Sequence, residues 1–266
     1  MSVPAVGLFS RTKEPADRGE DPSPDELTAK AEAMRLEGKL EKALRCCDQA
    51  LLAEPGNEAA LAEKAQVLTK MERYQEAMEF FDRVLGQDSA YASDPITHMG
   101  RYTALVKLGR MDEALESCNK ALRIVLDRRT SPGGGQGSEL VLGVLGWYRD
   151  QLFRDKAMIL NHLGRYAEAL EWCDRVLSWI PGDLSALNYK GHALYGLGRY
   201  KKAFEVTETA IDYDPSYLPV FILRSQALYR LGEGKRALGI IKDVLKIEPD
   251  NEDAIRVQKT IREGTD

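Results

Sequence analysis

LGRYAEALEWCDRVLSWIPGD occupies residues 163–183, and two variants of it stand elsewhere in the chain: LGRMDEALESCNKALRI at 108–124 and EGKLEKALRCCDQALLAEPGN at 37–57. Each has a glycine, an aromatic or aliphatic residue two places on, and then Ala-Leu. The recurrent alanine is Ala43, Ala77, Ala114, Ala169, Ala203 and Ala237, at steps of 34, 37, 55, 34 and 34. Five residues before it stand Gly38, Glu72, Gly109, Gly164, Gly198 and Gly232. Seven after it come Ala50, Val84, Ala121, Val176, Ala210 and Val244, and twelve after it Pro55, Ser89, Leu126, Pro181, Pro215 and Pro249. A repeat of 34 residues means one supersecondary unit, which buries its apolar face only against its neighbours.

The chemistry of a unit can be read from LNYKGHALYGLGRYKKAFEVTETAIDYDP, residues 187–215. Leu187, Gly191 and Leu194 recur at helical spacing and form one stripe. Gly198 ends that helix, because glycine accepts a left-handed conformation. Ala203, Thr207 and Ala210 mark the contact stripe of a second helix, and Pro215 stops it. Gly191 falls where the two helices cross, and the other units place Ala31, Ala65, Ala157 and Ser225 there. Unit three has Tyr102 instead, so its helices are expected to splay or repack.

These residues resemble the tetratricopeptide repeat family. The small residue, the glycine, the aromatics Tyr74, Tyr166 and Tyr200, the alanine and the terminal proline stand in that family's register. The resemblance implies an all-α, right-handed solenoid of antiparallel helix pairs. Its units would be 24–57, 58–91, 95–128, 150–183, 184–217 and 218–251. A polar capping helix would follow at 252–266, with Ala254, Ile255 and Ile261 turned inward.

Two segments depart from the period. Residues 1–23, with Pro4, Pro15 and Pro22 and little apolar content, read as a disordered tail. The long step between units three and four exceeds the period by 21 residues and holds an insert at 129–149. It contains TSPGGGQG, a loop with no Lys-Ser/Thr after the glycines to make it a phosphate cradle. Then comes ELVLGVLGWYRDQLF, which extends the flanking helices or leaves an apolar surface at 138–153 open for a partner or a second copy.

The composition excludes several functions. The chain has 266 residues and a net charge of −5, too acidic for a phosphate-backbone binder, so no nucleic acid is expected. No run approaches the length of a membrane span, and MSVPAVGLFSRTK is not a secretory leader, which points to the cytoplasm and to no integral membrane contact. The four cysteines form no CxxC pair. Cys47, Cys118 and Cys173 share one repeat position, so they read as small apolar packing residues. No catalytic, metal or cofactor motif is present, and of His98, His162 and His192 only the last two fall toward one groove, with no third ligand beside them.

Function is therefore expected in the groove. In this family the first helix of each unit lines the concave face, where peptides or helices of partner proteins bind. In the family's register that face carries Arg154, Met158, Asn161 and His162 in unit four and Asn188, Tyr189, His192 and Tyr195 in unit five. Unit six adds Gln226, Tyr229 and Arg230. Arg154 and Arg230 suggest an acidic ligand. The carboxylate clamp of chaperone co-factors in the family is not matched. Its positions hold Thr28, Glu32, Glu63, Ile96 and Gly100, or Arg154, Met158, Tyr189, Pro219 and Leu223, and only Arg154 is basic. The reading is a non-catalytic interaction scaffold or adaptor. The alternatives are a self-assembling module that uses the insert, and the regulatory chain of an enzyme complex.

Overall fold

A computed structural model describes residues 22–86, 91, 93–130 and 139–264, without the side chains of 128–130 and 139–145. The expected tail up to residue 21, and residues 131–137 of the expected loop, lie outside the described residues. Among the described residues there are thirteen helices and no strand. In chain order they are α1 (Pro24–Leu36), α2 (Leu40–Ala53), α3 (Glu58–Lys70), α4 (Tyr74–Leu85), α5 (Pro95–Lys107), α6 (Met111–Thr130) and α7 (Glu139–His162). There follow α8 (Tyr166–Trp179), α9 (Leu184–Gly196), α10 (Tyr200–Tyr213), α11 (Leu218–Arg230), α12 (Gly234–Ile247) and α13 (Glu252–Glu263). Each odd-numbered helix from α1 to α11 packs on the even one after it, and the chain is an all-α solenoid.

Local chemistry places the helix ends. Ser23, Asn57, Asp94, Asp183 and Asn251 each accept a backbone N–H at the start of α1, α3, α5, α9 and α13. The tight turn inside each pair needs a left-handed residue. Gly38, Gly109, Gly164, Gly198 and Gly232 supply it, with φ between 71° and 86°. Glu72 takes the same conformation in the second pair, at φ 60°.

The recurrent alanine is fully buried in all six pairs, and the position seven residues later is closed as well. At the crossing, Ala31, Ala65, Ala157 and Ser225 are fully buried, and Ser225 Oγ donates to the Ala237 carbonyl at 3.0 Å. Tyr102 does not splay its pair. It is buried, α5 and α6 still pack together, and its ring joins the core shared with α7.

The insert lengthens α6 to Thr130, and α7 begins at Glu139, ahead of the expected Asp150. The largest core cluster crosses this interruption, running from Ala65 through Tyr102, Val125 and Leu152 to Ala193. At the end of the stack, α13 buries Ala254, Val257 and Ile261 against α11 and α12. Ile255, expected to face inward, is instead exposed: it stands one residue past Ala254, a rotation of about 100° around the helix. No described helix is long and apolar enough to cross a membrane.

Candidate functional site

The first helices of the C-terminal half form a continuous row, α7 on α9, α9 on α11 and α11 on α13. One face of this row is hollowed by two pockets that share Tyr189. The first, of about 420 Å³, lies at the start of α9 and is lined by Gln151, Arg154, Asp155, Asp183, Tyr189 and Tyr217. The second, of about 400 Å³, lies one turn further along. Met158, Asn161 and His162 of α7 and Asn188, Tyr189, His192 and Tyr195 of α9 line it, with Asp253 and Arg256 of α13 opposite. Residues of α7 and α13 meet one cavity because the row curves, so this face is concave.

Polar contacts tie the helices under these pockets. Arg154 Nη1 meets Asp183 Oδ2 at 2.5 Å, and Asp183 Oδ1 also caps α9 by accepting the Ala186 N–H. The expected cationic edge is therefore spent at Arg154, since its guanidinium serves the stack. Arg230 is exposed at the end of α11 and lies 5.1 Å from the centre of the Tyr200 ring, which is itself 5.2 Å from the Tyr195 ring.

Asn161 Nδ2 donates to the Tyr189 carbonyl at 2.9 Å. That bond fixes the amide's orientation, and its Oδ1 is buried with no donor. Asn188 Oδ1 and Gln226 Oε1 are buried acceptors in the same condition. Burial holds the His192 imidazole below its usual range against the pull of Asp253, so it is neutral at neutral pH. The Tyr189 hydroxyl is pushed up to about 12, chiefly by burial and next by Asp155, and it stays protonated.

The structure thus gathers eight of the expected residues, Arg154, Met158, Asn161, His162, Asn188, Tyr189, His192 and Tyr195, into two adjoining hollows. Gln226, Tyr229 and Arg230 line neither. Tyr229 packs partly into the core of α11, α12 and α13. Sequence reasoning missed Asp253 and Arg256, whose helix was read only as a cap. It also missed Tyr166, whose ring lies against Gly196 where a Cβ would sit, 2.4 Å from the nearest ring carbon. The repeated aromatic was its available signal. Among the described residues, no group of three or more His, Cys, Asp or Glu side chains is placed to hold a metal ion.

Comparison with known proteins supports this architecture. The tetratricopeptide repeat profile matches residues 34–93, and a second profile of that description matches 103–124. The profile for anaphase-promoting complex, cyclosome, subunit 3 matches 162–244. No curated protein matches the sequence. Among solved structures, PilW, a widely conserved type IV pilus biogenesis factor, superimposes with a TM-score of 0.65 at 16% identity, over 88% of this chain and 97% of that one. Pseudomonas aeruginosa pilF gives 0.62 at 15%, over 89% and 96%. YrrB, described as a TPR protein with an unusual peptide-binding site, gives 0.52 at 19%, over 80% and 97%. Identities this low carry the fold alone.

Proposed function

The chain belongs to the tetratricopeptide repeat family, and from that premise we propose that it is a non-catalytic protein-interaction scaffold whose α7–α9–α11 groove holds an extended peptide or a helix of a partner protein. One observation carries this reading. Asn161, Asn188 and Gln226 present buried amide oxygens without donors along the row of first helices. A buried acceptor left unpaired costs about 1–3 kcal/mol. The backbone N–H groups of a bound segment relieve that cost, and tyrosines beside the amides add contact area at low entropic cost. The expected acidity of the ligand has weaker support, since Arg154 is already committed to Asp183.

The test is to select linear peptides from a displayed library on the full chain. Their affinity is then measured for wild type, for Tyr195→Ala with Gln226→Ala, and for Lys70→Ala on exposed ground in the N-terminal half. The double variant is expected to bind at least about tenfold more weakly, the scale of a lost hot spot, while Lys70→Ala is unchanged. Equal affinity for wild type and the double variant moves the site elsewhere.

A second reading, self-association beside the insert, is favoured by the exposed Trp147 on α7 and Trp179 on α8. Sedimentation of the wild type and of Trp147→Ser with Trp179→Ser decides it. A wild type that stays monomeric at high concentration removes the idea.

A further inference from the structure

The pocket between α7, α9 and α13 has a chemistry of its own. Asn188 is 8% exposed, and its Oδ1 has no donor. Asn161 is locked by its bond to the Tyr189 carbonyl, so the atom it leaves over is also an acceptor. Both side chains line this one cavity. Asn161 thus offers an acceptor fixed in place and Asn188 a second acceptor without a donor, and both call for a ligand that donates hydrogen bonds. A carboxylate or a phosphate would find donors at Arg256 but would leave both amide oxygens unpaired.

Charge agrees with that demand. Asp253 stands at the wall supplied by α13, and the deepest titratable group, His192, is held neutral by burial and adds no opposing charge. Arg256, the one arginine among the lining residues, is already ion-paired with Asp253 on its own helix, and both side chains are largely exposed. Such a pair holds by only about 0–1 kcal/mol, so a ligand cation can take its place. The pair also shows that Asp253 is placed to receive a guanidinium. Tyrosines 166, 189 and 195 complete the walls, and tyrosine rings favour a cation beside them.

We propose that this pocket receives a basic side chain of the peptide held in the groove, arginine in preference to lysine. A guanidinium has five N–H donors in one plane and serves two amide oxygens and a carboxylate together, whereas an ammonium has three donors on one atom. At about 400 Å³ the cavity has room for the head group and its methylene stem. The proposal rests on the groove reading above and adds the ligand's specificity to it.

The experiment uses peptides selected on the full chain, each made also with its basic residues changed singly to glutamine and to lysine. All are titrated against wild type, Asp253→Asn and Gln226→Ala. The expected result is one basic position whose change to glutamine weakens binding to wild type at least about tenfold, and whose effect shrinks to threefold or less on Asp253→Asn. Its change to lysine is expected to fall between. If peptides bind and lose affinity on Gln226→Ala, but no basic position couples to Asp253, the groove stands and the basic pocket is overturned. If no peptide binds, or none responds to Gln226→Ala, the groove reading fails and the pocket proposal falls with it.

Discussion

Tyr102 on α5 donates its hydroxyl hydrogen bond to Asp155 Oδ2 on α7 at 2.5 Å, joining the two first helices across the place where the repeat is interrupted. Asp155 also accepts from Gln151 Nε2, at 3.1 and 3.0 Å to its two oxygens. Burial raises the Asp155 carboxyl above its ordinary value, and the bonds from Tyr102 and Gln151 oppose that shift without cancelling it. A raised folded-state pKa means stability that is fully present below the unfolded value and is lost as pH rises through the folded one. Tyr102→Phe removes one of the donors and raises the carboxyl further. The variant is expected to lose about 1–3 kcal/mol at pH values above the raised carboxyl value, and clearly less near pH 4, where the carboxyl is more protonated. Urea unfolding in both pH ranges checks this, and a loss independent of pH shows that the bond does not hold the carboxylate.

Glu72 is the exception among the left-handed turn residues. A side chain in that conformation costs about 1–2 kcal/mol, and glycine's larger unfolded-state entropy returns part of the difference. Glu72→Gly is therefore expected to stabilise the chain by roughly 0.5–1 kcal/mol, seen as a higher Tm. The same change at an exposed mid-helix residue, Arg45→Gly, is expected to do the opposite. An unchanged or lower Tm for Glu72→Gly shows that some contact of that side chain outweighs the strain.

Gly191 lies where α9 crosses its partner and meets α11. A Cβ placed there falls 2.4 Å from Leu223 Cδ2, and Leu223 is fully buried. Gly191→Leu is expected to cost at least about 1–3 kcal/mol by overpacking. Thermal or urea unfolding reports it, and a variant as stable as wild type refutes the packing at this crossing.

All four cysteines are buried, and none is in a disulfide. Burial pushes the thiols of Cys47 and Cys173 up to about 12, and Cys118 is raised as well. A chromogenic disulfide reagent at pH 8 is expected to find almost no thiol in the native chain within minutes and all four after unfolding in guanidinium. Rapid native labelling of Cys47 or Cys173 means the stack opens locally far more often than its packing implies.

The 34-residue period was enough to read the pairing of helices and the buried alanines. It also located the five turn glycines and the shared packing place of Cys47, Cys118 and Cys173. These follow from side-chain spacing along one chain and contact between neighbouring units, and both are written locally. The row of first helices was legible for the same reason, and with it the gathering of Asn161, His162, Asn188 and His192. Only the tertiary structure decided that Arg154 is held by Asp183, that Tyr102 reaches Asp155, and that Asp253 and Arg256 face α7 and α9 across a cavity. The curvature that brings α13 opposite α7 is the sum of small rotations from one pair to the next, and no single repeat spells it. Which groups are left without a donor is likewise settled only when every neighbour is in place. So the sequence by itself determined a stack of helix pairs, and the packed superhelix decided what its groove has to offer.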